Sequence, residues 1–270
     1  MMILQQTRGA LSSGIDAGGR AYIDAVRATG ATVSNSQIFA LSQFVKRQKG
    51  NSLWGQIFRL YLPIWGTASA NAICLKTLTS GTFSGSFTHA SGYIQGDGAS
   101  NSFNLNSTAA GLRITAQQGC LFSLITTVPN YSFAGMIGVR DGNGVRHTGI
   151  MNNTGNNGQI AGISASSGSS ATNIGNVGLH LVSRITSTRQ CVFVRRASGL
   201  LQSAINTTQS DPVLSTRTMW ATALNGEGPF RSSSRFGLYG AMAGIDDDQA
   251  SNFTLDLQTL WENCTGLTLP

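Results

Sequence analysis

Apolar residues recur at two different spacings along this chain, and the change falls near residue 66. Before it, Tyr22, Ile23 and Val26 mark one face of a helix that Gly30 ends. Ile38, Leu41, Phe44 and Val45 then repeat at helical spacing. Ser34 stands ahead of this second stripe with Gln37 three residues on, the capping-box arrangement in which each side chain takes up the other residue's backbone N–H. Gly50 stops that helix. Ser52, Trp54, Ile57, Phe58 and Tyr61 predict a third, short helix that Pro63 terminates. Its aromatic stripe is expected to pack between the helices and the body of the protein.

After Gly66 the pattern becomes one of short strands. Alternating or continuous apolar runs fall at 72–76, 83–87, 91–95, 102–105, 111–115, 120–128, 132–140, 145–151, 159–164, 177–186, 190–196, 199–205, 217–224 and 234–240. Gly, Asn and Ser punctuate them, and so many short strands between turn signals predict an antiparallel sandwich. Arg140-Asp141-Gly142-Asn143-Gly144-Val145 is the best hairpin signal, because Asp-Gly and Asn-Gly tolerate positive φ. The chain closes on a helix: Asp246 at the N-cap, Gln249 at the third position, Ala250, Phe253, Leu257, Leu260 and Trp261 as its stripe, and Gly266 just past its end. The expected organisation is an arm over 1–18, a helical segment over 19–66, and a β-sandwich over 67–270 closed by a helix over 246–264.

Composition narrows the function. With 270 residues, 41% hydrophobic and only 11% charged, the chain buries a sizeable core and relies on Ser, Thr, Asn, Gln and its 33 glycines for a polar surface. The formal charge is +7, but only Lys46, Lys49 and Lys76 are lysines and the arginines are scattered singly. Nucleic-acid surfaces concentrate charge in a patch, so no nucleic-acid partner is expected. Cys74, Cys120, Cys191 and Cys264 lie far apart, without a C-x-x-C or Cys/His cluster, which argues against a metal site and leaves disulfides open. Asp246, Asp247 and Asp248 are accounted for by helix capping rather than by calcium. No cofactor is expected. The N-terminal residues lack the pattern of a secretory signal, and no apolar run is long enough for a membrane span, so no membrane insertion is expected.

Catalysis finds no support in the residues. Glycoside hydrolysis needs two carboxylates flanking the scissile bond, and Asp97, Asp141, Asp211 and Glu227 all fall in turns or loops with no acid-x-acid pair in a strand. His89, His147 and His180 are isolated, and there is no G-x-S-x-G, H-E-x-x-H or P-loop motif. The expectation is that the chain is not an enzyme and has no catalytic residues. Binding residues are read from loop aromatics with polar neighbours, Asn130 with Tyr131, Trp220 with the Asn225 loop, and Tyr239, while the favoured alternative makes Trp220 and Tyr239 core or subunit-interface residues.

The order of parts resembles a family of tailed-bacteriophage virion proteins in which helices precede a concanavalin A/laminin-G-like sandwich. The resemblance rests on Ala21 to Val26, Leu60-Tyr61-Leu62-Pro63-Ile64-Trp65-Gly66 with Asn71-Ala72, and Tyr93-Ile94-Gln95-Gly96-Asp97-Gly98. It continues through Ile137-Gly138-Val139-Arg140-Asp141, then His180 to Arg184 with Cys191 to Arg195. It closes on Phe236-Gly237-Leu238-Tyr239-Gly240 and the helix from Gly244. It implies a structural protein of the virion (capsid decoration, neck, tail or fibre) that contacts other virion proteins and is expected to form a homo-oligomer, a trimer first. Ile38, Leu41, Phe44 and Trp54 are the expected docking residues. The alternative is a host-glycan-binding adhesin, and the third a polysaccharide depolymerase.

Overall fold

The computed structural model describes residues 14–128, 134–140, 147–153, 158–165, 169–171, 176–205, 216–224 and 231–270. Helices α1 (Ala17–Ala28) and α2 (Asn35–Gly50) open it. A 3₁₀ turn (Trp54–Gln56), strand β1 (Ile57–Tyr61) and the one-turn helix α3 (Ala68–Asn71) follow. Then come β2 (Thr82–Ser84), β3 (Phe87–Ala90), β4 (Tyr93–Gly96), β5 (Ser102–Thr108), β6 (Gly119–Ile125), β7 (Gly135–Arg140) and β8 (His147–Asn153). The remaining strands are β9 (Gly158–Ala165), β10 (Ser169–Ala171), β11 (Gly178–Arg184), β12 (Gln190–Arg196), β13 (Gly199–Ile205), β14 (Thr218–Ala221) and β15 (Arg235–Met242), and helix α4 (Asp247–Thr265) ends the series.

Two antiparallel sheets form the expected sandwich. Sheet 1 runs β13-β12-β11-β6-β15-β4-β3, with β1 added alongside β15, and sheet 2 runs β10-β9-β8-β7-β14-β5-β2. The helices make a further layer on the outer side of sheet 1, so the described residues form two cores. Between helices and sheet 1 lie Tyr22, Leu41, Phe44, Phe253, Leu257 and Trp261 against Cys120, Phe122, Leu124, Leu179, Leu181 and Phe193. Between the sheets lie Tyr61, Phe103, Leu121, Ile125, Ile137, Val182, Val192 and Tyr239. Burial on both faces explains why β6 and β11 read as continuous runs and are buried at all seven positions. A strand with one wet face would alternate instead.

Local chemistry fixes the ends of the elements. Ser34 and Gln37 form the reciprocal capping box, as do Asp246 and Gln249, and Gly266 closes α4 at φ +71°. The Phe-Gly-Leu-Tyr-Gly sequence on β15 has a packing cause. A Cβ at Gly237 would lie 2.4 Å from Trp261 Nε1, and one at Gly240 would lie 2.5 Å from the Phe122 ring. The two glycines let α4 and β6 approach the strand backbone.

Three sequence expectations need correction. The third helix is a strand: Ile57 to Tyr61 pair with Met242 to Tyr239 of β15. Ile57, Leu60 and Leu62 enter the helix-side core while Phe58 and Tyr61 face the inter-sheet core, with an irregularity at Arg59. Demand for apolar groups on both faces, with a strand to pair against, overrides a spacing that also fits a helix. The expected strand at 111–115 is a turn, in which Leu112 N–H reaches Thr108 O and Arg113 has φ +52°. The expected strand at 72–76 contributes only isolated bridges, Tyr61 with Cys74 and Ile73 with Ser80, after α3. All four cysteines are buried free thiols.

Candidate functional site

The outer face of sheet 2 carries a polar row with one aromatic residue in it. On β14, Met219 and Ala221 enter the inter-sheet core, so Trp220 between them points outward, half-buried. On β5, Phe103 and Leu105 point inward and Asn104 outward. The register places Asn104 directly across from Trp220 on one side and Gly138 on the other. The row continues through Thr82 beyond Asn104, and through Gly149 and Gly162 beyond Gly138.

The polar side chains beside Trp220 are held in place by each other. Asn104 Oδ1 accepts from Asn106 N–H at 2.7 Å, and Asn106 Nδ2 donates to Ser80 O and Thr82 Oγ1, both at 3.0 Å. Asn106 has φ +50°, a conformation Asn tolerates better than most residues, and it turns the amide toward Thr82. These groups keep capacity for further hydrogen bonds, since each amide carries two donors and two acceptor sites. On the glycine side the row is covered: Leu224, fully buried and in neither core, packs on Gly138 and Gly149. The indole N–H of Trp220 takes no acceptor from the described residues.

A second set of residues holds the chain after Trp220. Thr222 N–H donates to Met136 O at 2.9 Å, and Ser232 N–H donates to Thr222 O at 2.9 Å, which closes the base of the 222–232 segment. Asn101 Nδ2 reaches Ser232 O at 3.1 Å and Thr222 Oγ1 at 3.4 Å. Asn101 in turn sits in a turn organised by Asp97, whose Oδ1 accepts from the amides of Ala99, Ser100 and Asn101 while its Oδ2 accepts from the Ser100 hydroxyl. Burial opposes ionisation there, but those hydrogen bonds outweigh it and hold the carboxyl down at about 2. The Gly96-Asp97-Gly98 sequence therefore braces the aromatic strand.

The residues expected from sequence are dispersed. Trp220 lies on the sheet face described above. Asn130, Tyr131 and Asn225 lie outside the described residues. Leu41 and Phe44 are fully buried in the core between helices and sheet 1, and Ile38 is partly buried against that core while also lining a groove on α2. Trp54 is half-buried, with Lys76 Nζ 4.3 Å over its ring and donating to its carbonyl. Asn104, Asn106 and Thr82 were not singled out by sequence. The alternation Phe103-Asn104-Leu105-Asn106 marks them as outward, but only the register places them beside Trp220.

Among the described residues no group of three or more His, Cys, Asp or Glu side chains is placed to hold a metal ion, and no helix is long and apolar enough to cross a membrane. His180 is fully buried between the sheets, and desolvation, aided by the nearby Arg196 charge, pushes it down to about 3, so it is neutral at physiological pH.

No protein-family model matches the chain, and no curated protein matches it in sequence. The fold is similar to that of Trypanosoma rangeli sialidase in complex with 2-keto-3-deoxy-D-glycero-D-galacto-2,3-difluoro-nononic acid, with a TM-score of 0.51 and 10% identity over 76% of this chain and 33% of that one. The chain thus spans about a third of the sialidase. The CBM40 of Ruminococcus gnavus IT-sialidase bound to alpha2,3 sialyllactose aligns with a TM-score of 0.46 and 11% identity, over 60% of this chain and 96% of that one. At these identities the likeness is one of fold.

Proposed function

We propose that this chain is a glycan-binding β-sandwich whose contact surface is the outer face of sheet 2 around Trp220. The observation that carries this reading is a half-buried, outward-facing indole set directly beside the pre-bonded Asn104, Asn106 and Thr82 array. A pyranose ring has an apolar face of C–H groups and a rim of hydroxyls. The indole takes the first, and the amides and hydroxyl take the second. Because the polar groups already restrain one another, little conformational entropy is lost when a ligand binds. The fold adds a rigid platform, and the sialidase of similar fold binds a sugar acid, which is in keeping with the ligand class. The test is a panel of immobilised bacterial and animal glycans probed with the parent protein, Trp220→Ala and Asn104→Ala. Binding that is lost in both variants supports the reading, and binding that persists in both sinks the site.

A second reading, a structural component of a bacteriophage particle, is favoured by the order of motifs along the chain. Leu255 and Leu267 on the helical side of the protein are 49% and 46% exposed, and an assembly would cover them. Antibody labelling of particles with quantitative copy number tests it: dozens of copies or more support a structural role, and absence from particles overturns it.

A further inference from the structure

We propose that the outer face of sheet 1 carries a second binding site, in which the Arg235 guanidinium takes the carboxylate of a sugar acid such as a hexuronate. Ile94 on β4 and Phe236 on β15 enter the inter-sheet core, so their neighbours Tyr93, Gln95 and Arg235 point to the opposite side. There Arg235 and Gln95 lie directly across from each other in the register, and Thr88 of the edge strand β3 lies across from Gln95 on its other side. Tyr93 and Arg235 are half-buried and Thr88 is exposed. The patch sits beside the end of α4, where Trp261 Nε1 donates to Gly92 O at 3.1 Å.

Three features separate this arginine from an ordinary solvated one. First, its guanidinium is held from two directions: it lies 4.5 Å over the Tyr93 ring, and its Nε donates to Gln95 Oε1 at 3.1 Å. Gln95 is itself fixed, because its Nε2 donates to Ser233 O at 3.1 Å. A cation restrained in this way loses little side-chain freedom when a ligand binds. Second, the edge formed by its two terminal amino groups is open. Arg27, Arg59, Arg184, Arg189 and Arg195 each give a terminal amino group to a carbonyl or carboxylate of the protein. Those of Arg235 take no acceptor among the described residues, and no carboxylate there forms an ion pair with it. The open edge matches the two oxygens of a carboxylate in a fork-to-fork pair. Third, the neighbours suit hydroxyl groups. Gln95 keeps one N–H and one acceptor site, and Thr88 presents its hydroxyl across from it. Uncharged donors and acceptors beside one cation fit a ring that bears one acid group and several hydroxyls. The site lies on the opposite sheet from Trp220 and does not rest on the reading given for that face.

The experiment titrates sodium glucuronate into the isotope-labelled full chain at constant ionic strength and follows the Arg235 Nε–H resonance, identified by its absence from Arg235→Lys. Glucose and acetate are the comparison ligands, and calorimetry gives the affinity of each variant. The expected result is a saturable shift with glucuronate, several-fold weaker binding of acetate and no binding of glucose at this site. Glucuronate should bind at least about tenfold more weakly to Arg235→Lys, which keeps the charge and loses the fork. Gln95→Glu should weaken it as much, because it sets one of the chain's own carboxylates against the guanidinium. That change is nearly isosteric, so it keeps the test decisive should Arg235→Lys be unstable. No shift at Arg235 with glucuronate, a shift of equal size with glucose, or acetate bound as tightly as glucuronate overturns the proposal. Binding that Trp220→Ala abolishes and Arg235→Lys retains also overturns it, and assigns the sugar acid to the face of sheet 2.

Discussion

Gly237→Ala is the most direct probe of the contact between the closing helix and the sheet. A methyl at this position would lie 2.4 Å from Trp261 Nε1, 3.0 Å from Trp261 Cδ1 and 2.9 Å from Leu124 Cδ2. All are well inside van der Waals contact, so the indole or the strand must move by about an ångström. Trp261 is 1% exposed and donates its N–H to Gly92 O at 3.1 Å. Displacement puts that bond, worth about 1 kcal/mol net, at risk, and overpacking of a filled core adds about 1–3 kcal/mol. The expected loss is about 2–4 kcal/mol. Urea denaturation followed by far-UV circular dichroism and tryptophan emission measures it. Because the cost arises at one side chain, Trp261→Phe should relieve it. Gly237→Ala should then cost at least about 1 kcal/mol less when combined with Trp261→Phe than it does alone. A Gly237→Ala variant within about 0.5 kcal/mol of the parent would refute the packing argument.

The remaining expectations concern burial, capping and ionisation. Leu41→Ala should lower stability by about 2–5 kcal/mol and reduce soluble yield, read by denaturation, because Leu41 is fully buried in the helix-side core. Asp246→Ala removes the N-cap of α4 and one half of its capping box, for an expected loss of about 1 kcal/mol in urea. His180 is lowered to about 3 from an unfolded value near 6.5, so the unfolded chain takes up the proton first. Its contribution is fully present above pH 6.5 and lost as the pH falls toward 3, up to roughly 5 kcal/mol. Replacement of His180 by an apolar residue should flatten the stability-against-pH curve over that range. The four thiols should resist a thiol-specific reagent in the native protein and all react in denaturant, since each is buried and free.

The helices with stop and start signals were legible because their determinants are local. Ser34 with Gln37, Asp246 with Gln249, and Gly266 each act within one turn of the residue that names them. The long strands were legible as apolar runs, and Cys191 to Arg195 fell inside β12 as expected. What local pattern did not reveal was the second core. Ile57 to Tyr61 satisfy a helical spacing and a two-faced strand equally well, and the choice was made by β15, nearly two hundred residues away. The candidate site was half legible for the same reason. Trp220 was visible as an aromatic residue in polar surroundings, but its neighbours came from β5 and β2, more than a hundred residues upstream, through a register that composition does not encode. The Asp97 turn was visible as a motif, whereas its bracing of Thr222 and Ser232 was not.

Titration of the tightest-binding glycan from the panel into the parent protein and Trp220→Ala, by calorimetry with both proteins confirmed folded, bears most directly on the proposed function. The account predicts saturable one-site binding to the parent and at least a tenfold rise in Kd, about 1.4 kcal/mol, for Trp220→Ala. Trp220→Tyr should recover much of the loss. Equal affinity of parent and Trp220→Ala would contradict it and remove this face of sheet 2 from the binding surface.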